Sequence, residues 1–133
     1  MNESATTSPE EECARLAALE SYAIVGTDPE EAFDRITRIL ATVMDTPVAL
    51  LTFIDADRVS FKSAYGTDTS ECDRQGAFCA LTIARNARLV VEDATLDSRF
   101  SDNPLVTGPT DIRFYAGTPL RARGNVNLGT LCA

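Results

Sequence analysis

The residues able to act as nucleophiles or metal ligands are few: four cysteines, Cys13, Cys72, Cys79 and Cys132, and no histidine. No two cysteines form a Cys-x-x-Cys pair, so a zinc site would need thiolates gathered from distant segments, and no metal is expected. The lack of histidine removes the commonest general base, phosphoryl acceptor and haem ligand. No nucleophile, base and orienting group can be assembled from neighbouring residues, and no cofactor or enzymatic activity is expected. Neither Gly-x-x-x-x-Gly-Lys nor Gly-x-Gly-x-x-Gly occurs, which removes the usual phosphate-loop and dinucleotide fingerprints.

What remains is a set of residues suited to lining a pocket. Cys79, beside Phe78, reads either as core filling or as a pocket-wall or redox-sensing thiol. Cys72 lies in a polar stretch and is expected to be exposed; a regulatory disulfide with Cys79 stays open, since sequence does not give their separation. Asp93 reads as a turn former or as a hydrogen-bond acceptor at a pocket mouth. If Phe114 points to the core with Ala116, strand alternation puts Arg113 and Tyr115 together on the other face, towards solvent or a ligand. Arg99 is expected to pair with Asp97 or Asp102.

These residues must be positioned by one domain, because 133 residues fit a single core and little more. Residues 1–8 read as a flexible leader and 9–133 as the domain. Ser8-Pro9-Glu10-Glu11 and Asp28-Pro29-Glu30-Glu31 are helix-start patterns. They predict helices over 9–21 and 29–45, the second with Phe33, Ile36, Ile39, Leu40, Val43 and Met44 at helical spacing. Strands are predicted at 48–54 and 59–65, joined by a turn at 55–58, with Val59, Phe61 and Ser63 on one face. A polar loop follows at 66–76, then a short helix near 78–86 and strands at 89–92, 112–120 and 127–133. The order is not βαβα, so the expected class is α+β: a central antiparallel sheet of five or six strands with helices on one face. Segment 93–109 is long for a connection and carries apolar anchors Leu96, Phe100, Leu105 and Val106, which suggests a lid. The concave space between the sheet and residues 78–108 is the expected pocket.

The formal charge of −8 disfavours nucleic acid and anionic membranes as partners. The longest apolar runs are too short to cross a bilayer, and residues 1–9 lack a signal peptide's features, so a cytoplasmic setting is expected.

Over residues 15–133, with Ala49 to Tyr65 similar to the family's first hairpin and most specifically from residue 78 onward, the sequence resembles bacterial GAF domains of sensor kinases and cyclic-dinucleotide signalling proteins. The resemblance rests on Phe78-Cys79-Ala80-Leu81-Thr82-Ile83, on the run from Leu89 through Glu92-Asp93-Ala94 to Arg99-Phe100, and on Asp102-Asn103-Pro104-Leu105-Val106-Thr107-Gly108. It continues in Ile112-Arg113-Phe114-Tyr115-Ala116-Gly117-Thr118-Pro119-Leu120 and Leu128-Gly129-Thr130-Leu131-Cys132. It implies a non-catalytic regulatory domain that takes an unknown small molecule in a pocket around Phe78, Cys79, Asp93, Arg113 and Tyr115. It also implies a homodimer in the full-length protein and an output domain, a kinase or cyclic-dinucleotide enzyme, in cis or in trans. Leu81 stands where many relatives have histidine, and the family's closing C-terminal helix is missing, so the domain reads as truncated. The Cys-His pair of bilin-binding relatives and the Asn-Lys-x-x-Phe-Asp-Glu motif of cyclic-nucleotide binders are absent. Two alternatives accompany this reading: a cysteine-dependent reductase of the free methionine sulfoxide type, and a purely structural dimerisation module.

Overall fold

Hydrophobic spacing separates helix from strand along the chain much as the sequence predicts. The computed structural model describes residues 9–25, 30–74, 77–108, 112–122 and 126–133. Helix α1 spans Pro9–Tyr22 and α2 Glu31–Met44; strands β1 (Ala49–Ile54), β2 (Arg58–Tyr65) and β3 (Glu71–Asp73) follow. Helix α3 (Phe78–Arg85), β4 (Leu89–Val91), a 3-10 turn at Ala94–Leu96, α4 (Pro104–Thr107), β5 (Tyr115–Ala122) and β6 (Val126–Cys132) complete the order. The leader, Ser8, Asp28-Pro29, Pro109 and the Gly124-Asn125 turn lie outside the described residues. The short strand β3 falls where a loop was expected, and α4 within a segment read as irregular.

One antiparallel sheet of six strands runs in the order β3-β2-β1-β6-β5-β4. The α+β class and the antiparallel sheet agree with the sequence. Leu19 of α1 and Phe33 of α2 pack with Leu51, Phe53, Leu128 and Leu131, so the two long helices share one face as expected. The short α3 takes the opposite face, where Phe78, Cys79 and Ile83 join Ile54, Val59, Tyr115 and Cys132. Strand alternation puts Leu51 and Phe53 on one side and Leu50 and Ile54 on the other, so each face has its own apolar cluster.

Two bulges re-aim side chains. Leu51 pairs with Ser63 but Thr52 with Phe61, leaving Lys62 extra in β2; Leu120 pairs with Gly129 but Arg121 with Asn127, leaving Leu128 extra in β6. Such an insertion bends the strand and changes the alternation beyond it. Ser63 therefore does not share a face with Val59 and Phe61, as the plain strand pattern suggests. Its hydroxyl instead donates to Asp34 of α2 at 2.6 Å and lies 2.8 Å from the hydroxyl of Thr37. The neighbouring Lys62 is buried, paired with Glu30 at 2.9 Å and stacked above the Phe33 ring. This polar seam explains a second departure: Thr37 and Ala41 form the buried line of α2, while Ile36, Ile39 and Val43 stay exposed.

An ion network fixes α1. Buried Arg15 donates to Glu12 at 3.0 and 3.1 Å and to the Asn127 carbonyl of β6 at 3.3 Å. Arg74 reaches the same Glu12 at 2.6 Å and the Asp55 carbonyl in the β1–β2 turn at 3.0 Å. Partial burial opposes ionisation of Glu12, but hydrogen bonds and charge from the two guanidinium groups outweigh it and hold its pKa at about 2. A carboxylate depressed in the folded state contributes stability that is complete above the unfolded value of about 4.5 and is lost as pH falls towards the folded one. The stability difference between wild type and Glu12→Gln, measured by urea denaturation, is therefore expected to be largest near neutral pH. It should shrink between about pH 4.5 and 2 and close below that.

At the sheet centre β6 lies against β1 without clearance. A Cβ on Gly129 would meet the Thr52 carbonyl oxygen at 1.8 Å, a backbone atom that cannot swing aside. Gly129→Ala is expected to cost about 1–3 kcal/mol or more, as overpacking in a rigid core does. An unchanged unfolding midpoint would contradict that contact.

Candidate functional site

The α3 face encloses a cavity of about 610 Å³, within the range of small-molecule sites. Leu50 of β1, Phe61 of β2, Cys72 of β3, Tyr115 of β5 and Cys132 of β6 line it from the sheet. Ala77, Phe78 and Cys79 contribute the start of α3; Leu105, Ile112, Arg113 and Phe114 come from α4 and the approach to β5. Thr46, Pro47, Val48, Thr67, Thr69 and Ala133 complete the lining.

Four of the five residues expected at a pocket meet here: Phe78, Cys79, Arg113 and Tyr115. Asp93 does not line the cavity. Its carboxylate caps the 3-10 turn, accepting from the Thr95 backbone N–H at 3.0 Å and from its hydroxyl at 2.6 Å, and these bonds lower its pKa. The premise for Arg113 and Tyr115 reverses as well. β5 begins only at Tyr115, whose side chain is buried, whereas Phe114 is substantially exposed. The Arg113 guanidinium donates to the Val106 carbonyl at 2.9 Å and to its neighbour Ile112 at 3.1 Å, bracing α4 against the entry to β5.

An aromatic cluster carries the inner wall. The Phe78 and Phe100 rings stack with centroids 4.1 Å apart and planes within 7°, and Tyr115 tilts against Phe78 at 5.2 Å. Phe100 thus anchors the long segment in the core, together with buried Val106 and partly buried Leu105. Leu96, read as a fourth anchor, is 82% exposed, because the turn capped by Asp93 directs it outward. Asn103 accepts from the Leu105 N–H at 2.8 Å to start α4, and Arg99 pairs with Asp97 at 2.7 Å as expected.

Three thiols reach the cavity. Cys72 is half-buried rather than exposed, because β3 pairs with β2 and brings it opposite Val59; burial, and the nearby Cys79, push its pKa up to about 11. Cys79 and Cys132 are buried with their sulfurs 3.9 Å apart. The Tyr115 hydroxyl donates to Cys79 at 3.7 Å and lies 3.0 Å from that of Thr82, while Thr130 donates to Cys132 at 3.7 Å. Hydrogen bonding from Cys132 makes Cys79 the more acidic of the two; the same bond, with burial, raises Cys132 well above the ordinary thiol range. Burial holds the Tyr115 phenol far above its usual value, so it remains a donor. Sequence reading missed Cys132 in this group. The one signal was its two-residue alternation with Thr130 in β6, which gives the face the two share but not the distance from Cys79. Among the described residues, no cluster of three or more carboxylate or thiol groups could hold a metal ion.

The GAF domain family model matches residues 28–133. A cyclic di-GMP phosphodiesterase of Pseudomonas aeruginosa is 39% identical over 124 residues, covering 93% of this chain but only 21% of that protein. The chain thus spans about a fifth of that relative's length. Among solved structures, the free methionine-R-sulfoxide reductase of Neisseria meningitidis in complex with its substrate aligns over 96% of this chain and 76% of its own, with a TM-score of 0.62 and 16% identity. The GAF domain of an Acinetobacter phosphoenolpyruvate-protein phosphotransferase aligns over 95% of this chain and 77% of its own, at a TM-score of 0.61 and 15% identity. At such identities these structures share the fold. Matched by the family model over most of its length and built on the same six-stranded sheet, the chain belongs to the GAF domain family.

Proposed function

We propose that this chain is the non-catalytic sensory input domain of a bacterial signal-transduction protein, and that the cavity on the α3 face takes a small, largely apolar molecule. The observation that carries the reading is the cavity wall: aliphatic, aromatic and thiol groups predominate, and Arg113 is its one charged side chain. A strongly charged ligand would leave its hydration shell there with little to replace it. An apolar ligand gains from burial at roughly 25 cal/mol per Å². Binding would be transmitted through α4 and residues 112–114, which touch both the cavity and, through Arg113, each other. In the full-length protein, a homodimer would carry the change to an output domain such as a cyclic-dinucleotide enzyme, the class to which the Pseudomonas relative belongs. The acidic surface argues against nucleic acid or anionic membrane as partner, and no helix among the described residues is long and apolar enough to cross a membrane. A cytoplasmic setting is part of the proposal.

A thermal-shift screen of uncharged small molecules is expected to yield compounds that raise the unfolding temperature of wild type but not of Leu105→Trp, which fills the cavity from α4. Hydrogen exchange over residues 93–108 should slow with ligand bound. If no compound shifts the midpoint, the domain is a structural dimerisation module. If shifts occur without changed exchange there, the segment is scaffold and not a lid.

One observation favours a second reading: Cys72 and Cys79 both line the cavity, as the attacking and resolving thiols of a reductase would. Turnover of free methionine sulfoxide with a dithiol reductant would establish it and replace the sensory reading.

A further inference from the structure

The Cys79–Cys132 pair has a geometry that neither ligand binding nor core filling requires. The two sulfurs lie 3.9 Å apart, near enough for rotation about the side-chain bonds to bring them towards bonding distance, which is about 2.05 Å in a disulfide. Their backbones differ in freedom. Cys132 sits at the centre of the sheet, paired with Leu50 on one side and Gly117 on the other. Cys79 lies in the first turn of the eight-residue helix α3, so the helix can yield while the strand holds.

Buried thiols are ordinarily inert, and reactive ones need access and stabilisation of the thiolate. Both are present here. Both cysteines line the cavity, which supplies a route from solvent to residues that are otherwise buried. The Tyr115 hydroxyl donates to Cys79 at 3.7 Å, and the Cys132 thiol lies 3.9 Å from the same sulfur. An apolar cavity favours an oxidant with an apolar body.

We infer that Cys79 and Cys132 form a dithiol site that reduces an organic hydroperoxide entering the cavity and closes to a disulfide across α3 and β6. The Cys79 sulfur attacks the terminal oxygen of the hydroperoxide. The O–O bond breaks, the alcohol leaves with a proton, and Cys79 becomes a sulfenic acid. The Cys132 sulfur then attacks the Cys79 sulfur; hydroxide departs and leaves as water with the Cys132 proton. Two thiols have lost two electrons and two protons, and the hydroperoxide has become an alcohol and water. The bond draws the start of α3 onto β6 and narrows the cavity from within.

The test uses the chain carrying Cys13→Ser and Cys72→Ser, treated with an equimolar amount of tert-butyl hydroperoxide and analysed by intact mass and peptide mapping. The expected product has lost two hydrogens and contains a cross-linked pair of peptides bearing Cys79 and Cys132, reversed by dithiothreitol. Adding Cys132→Ser should stop the reaction at a sulfenic acid on Cys79, trapped by dimedone, and this readout needs no disulfide. Adding Cys79→Ser should abolish both products, with circular dichroism checking that each variant folds. Unmodified thiols after treatment of the folded protein, or a sulfenic acid found first on Cys132, would overturn the inference. A failed ligand screen leaves this test untouched, since it reads sulfur chemistry and not binding.

Discussion

Everything on both faces of this domain hangs on the insertion of β6 between β1 and β5. Thr52 and Thr130 bring their hydroxyls to 2.8 Å within this seam, and the Thr130 N–H donates to the Thr52 hydroxyl at 3.2 Å. These polar side chains are fully buried and need each other, because an unsatisfied hydroxyl in that position costs about 1–3 kcal/mol. Mutual satisfaction fixes register, and register in turn decides which side chain faces which helix. With β6 in place, Leu128 and Leu131 meet α1 and α2 while Thr130 and Cys132 meet α3. A slip by one residue would exchange the two sets.

The two faces then diverge in character. On the α1–α2 side, polar groups are consumed in fixed pairs: Arg15 with Glu12, Lys62 with Glu30, Ser63 with Asp34. Each buried cation there has a partner carboxylate, the condition under which burial of charge is tolerable. On the α3 side the polar groups nearest the cavity are thiols, threonine hydroxyls and one phenol, while the buried Asn127 amide donates to the Ile83 carbonyl of α3 at 3.0 Å. The first group clusters behind a space that apolar side chains border and do not fill. The Phe78–Phe100 stack holds the wall of that space open from one side and Arg113 braces it from the other, so the cavity is a property of the anchored segment and not a packing accident.

The sequence carried most of this architecture. Both long helices, the β1–β2 hairpin, the short α3 and the strands β4 and β6 stand where periodicity and turn chemistry put them. The block from Phe78 to Cys132 was specific enough to indicate the family and four of the five expected wall residues. One failure comes from the bulge at Lys62, which breaks the two-residue alternation on which facing arguments rest and which no local signal marks. Ser63 was thereby assigned to the wrong face. The condition that Phe114 points to the core failed because β5 starts three residues later than expected, and of the two roles open to Asp93 the structure shows the turn former's, with Oδ1 capping the 3-10 turn. Cys132 was not legible as a neighbour of Cys79, for that contact spans 53 residues and exists only in the folded sheet.

The seam between β1 and β6 joins residues 78 positions apart, while the β1–β2–β3 ladder forms from neighbours in the chain. Loop-closure entropy makes such distant pairing slow. A nascent chain on the ribosome thus exposes β1 as an unpaired edge, apolar on both faces, for as long as synthesis takes to reach residue 132. Bare edges of this kind recruit strands from other molecules. Overcrowded expression will therefore favour domain-swapped or aggregated species, in which β6 of one molecule occupies the slot left vacant in another.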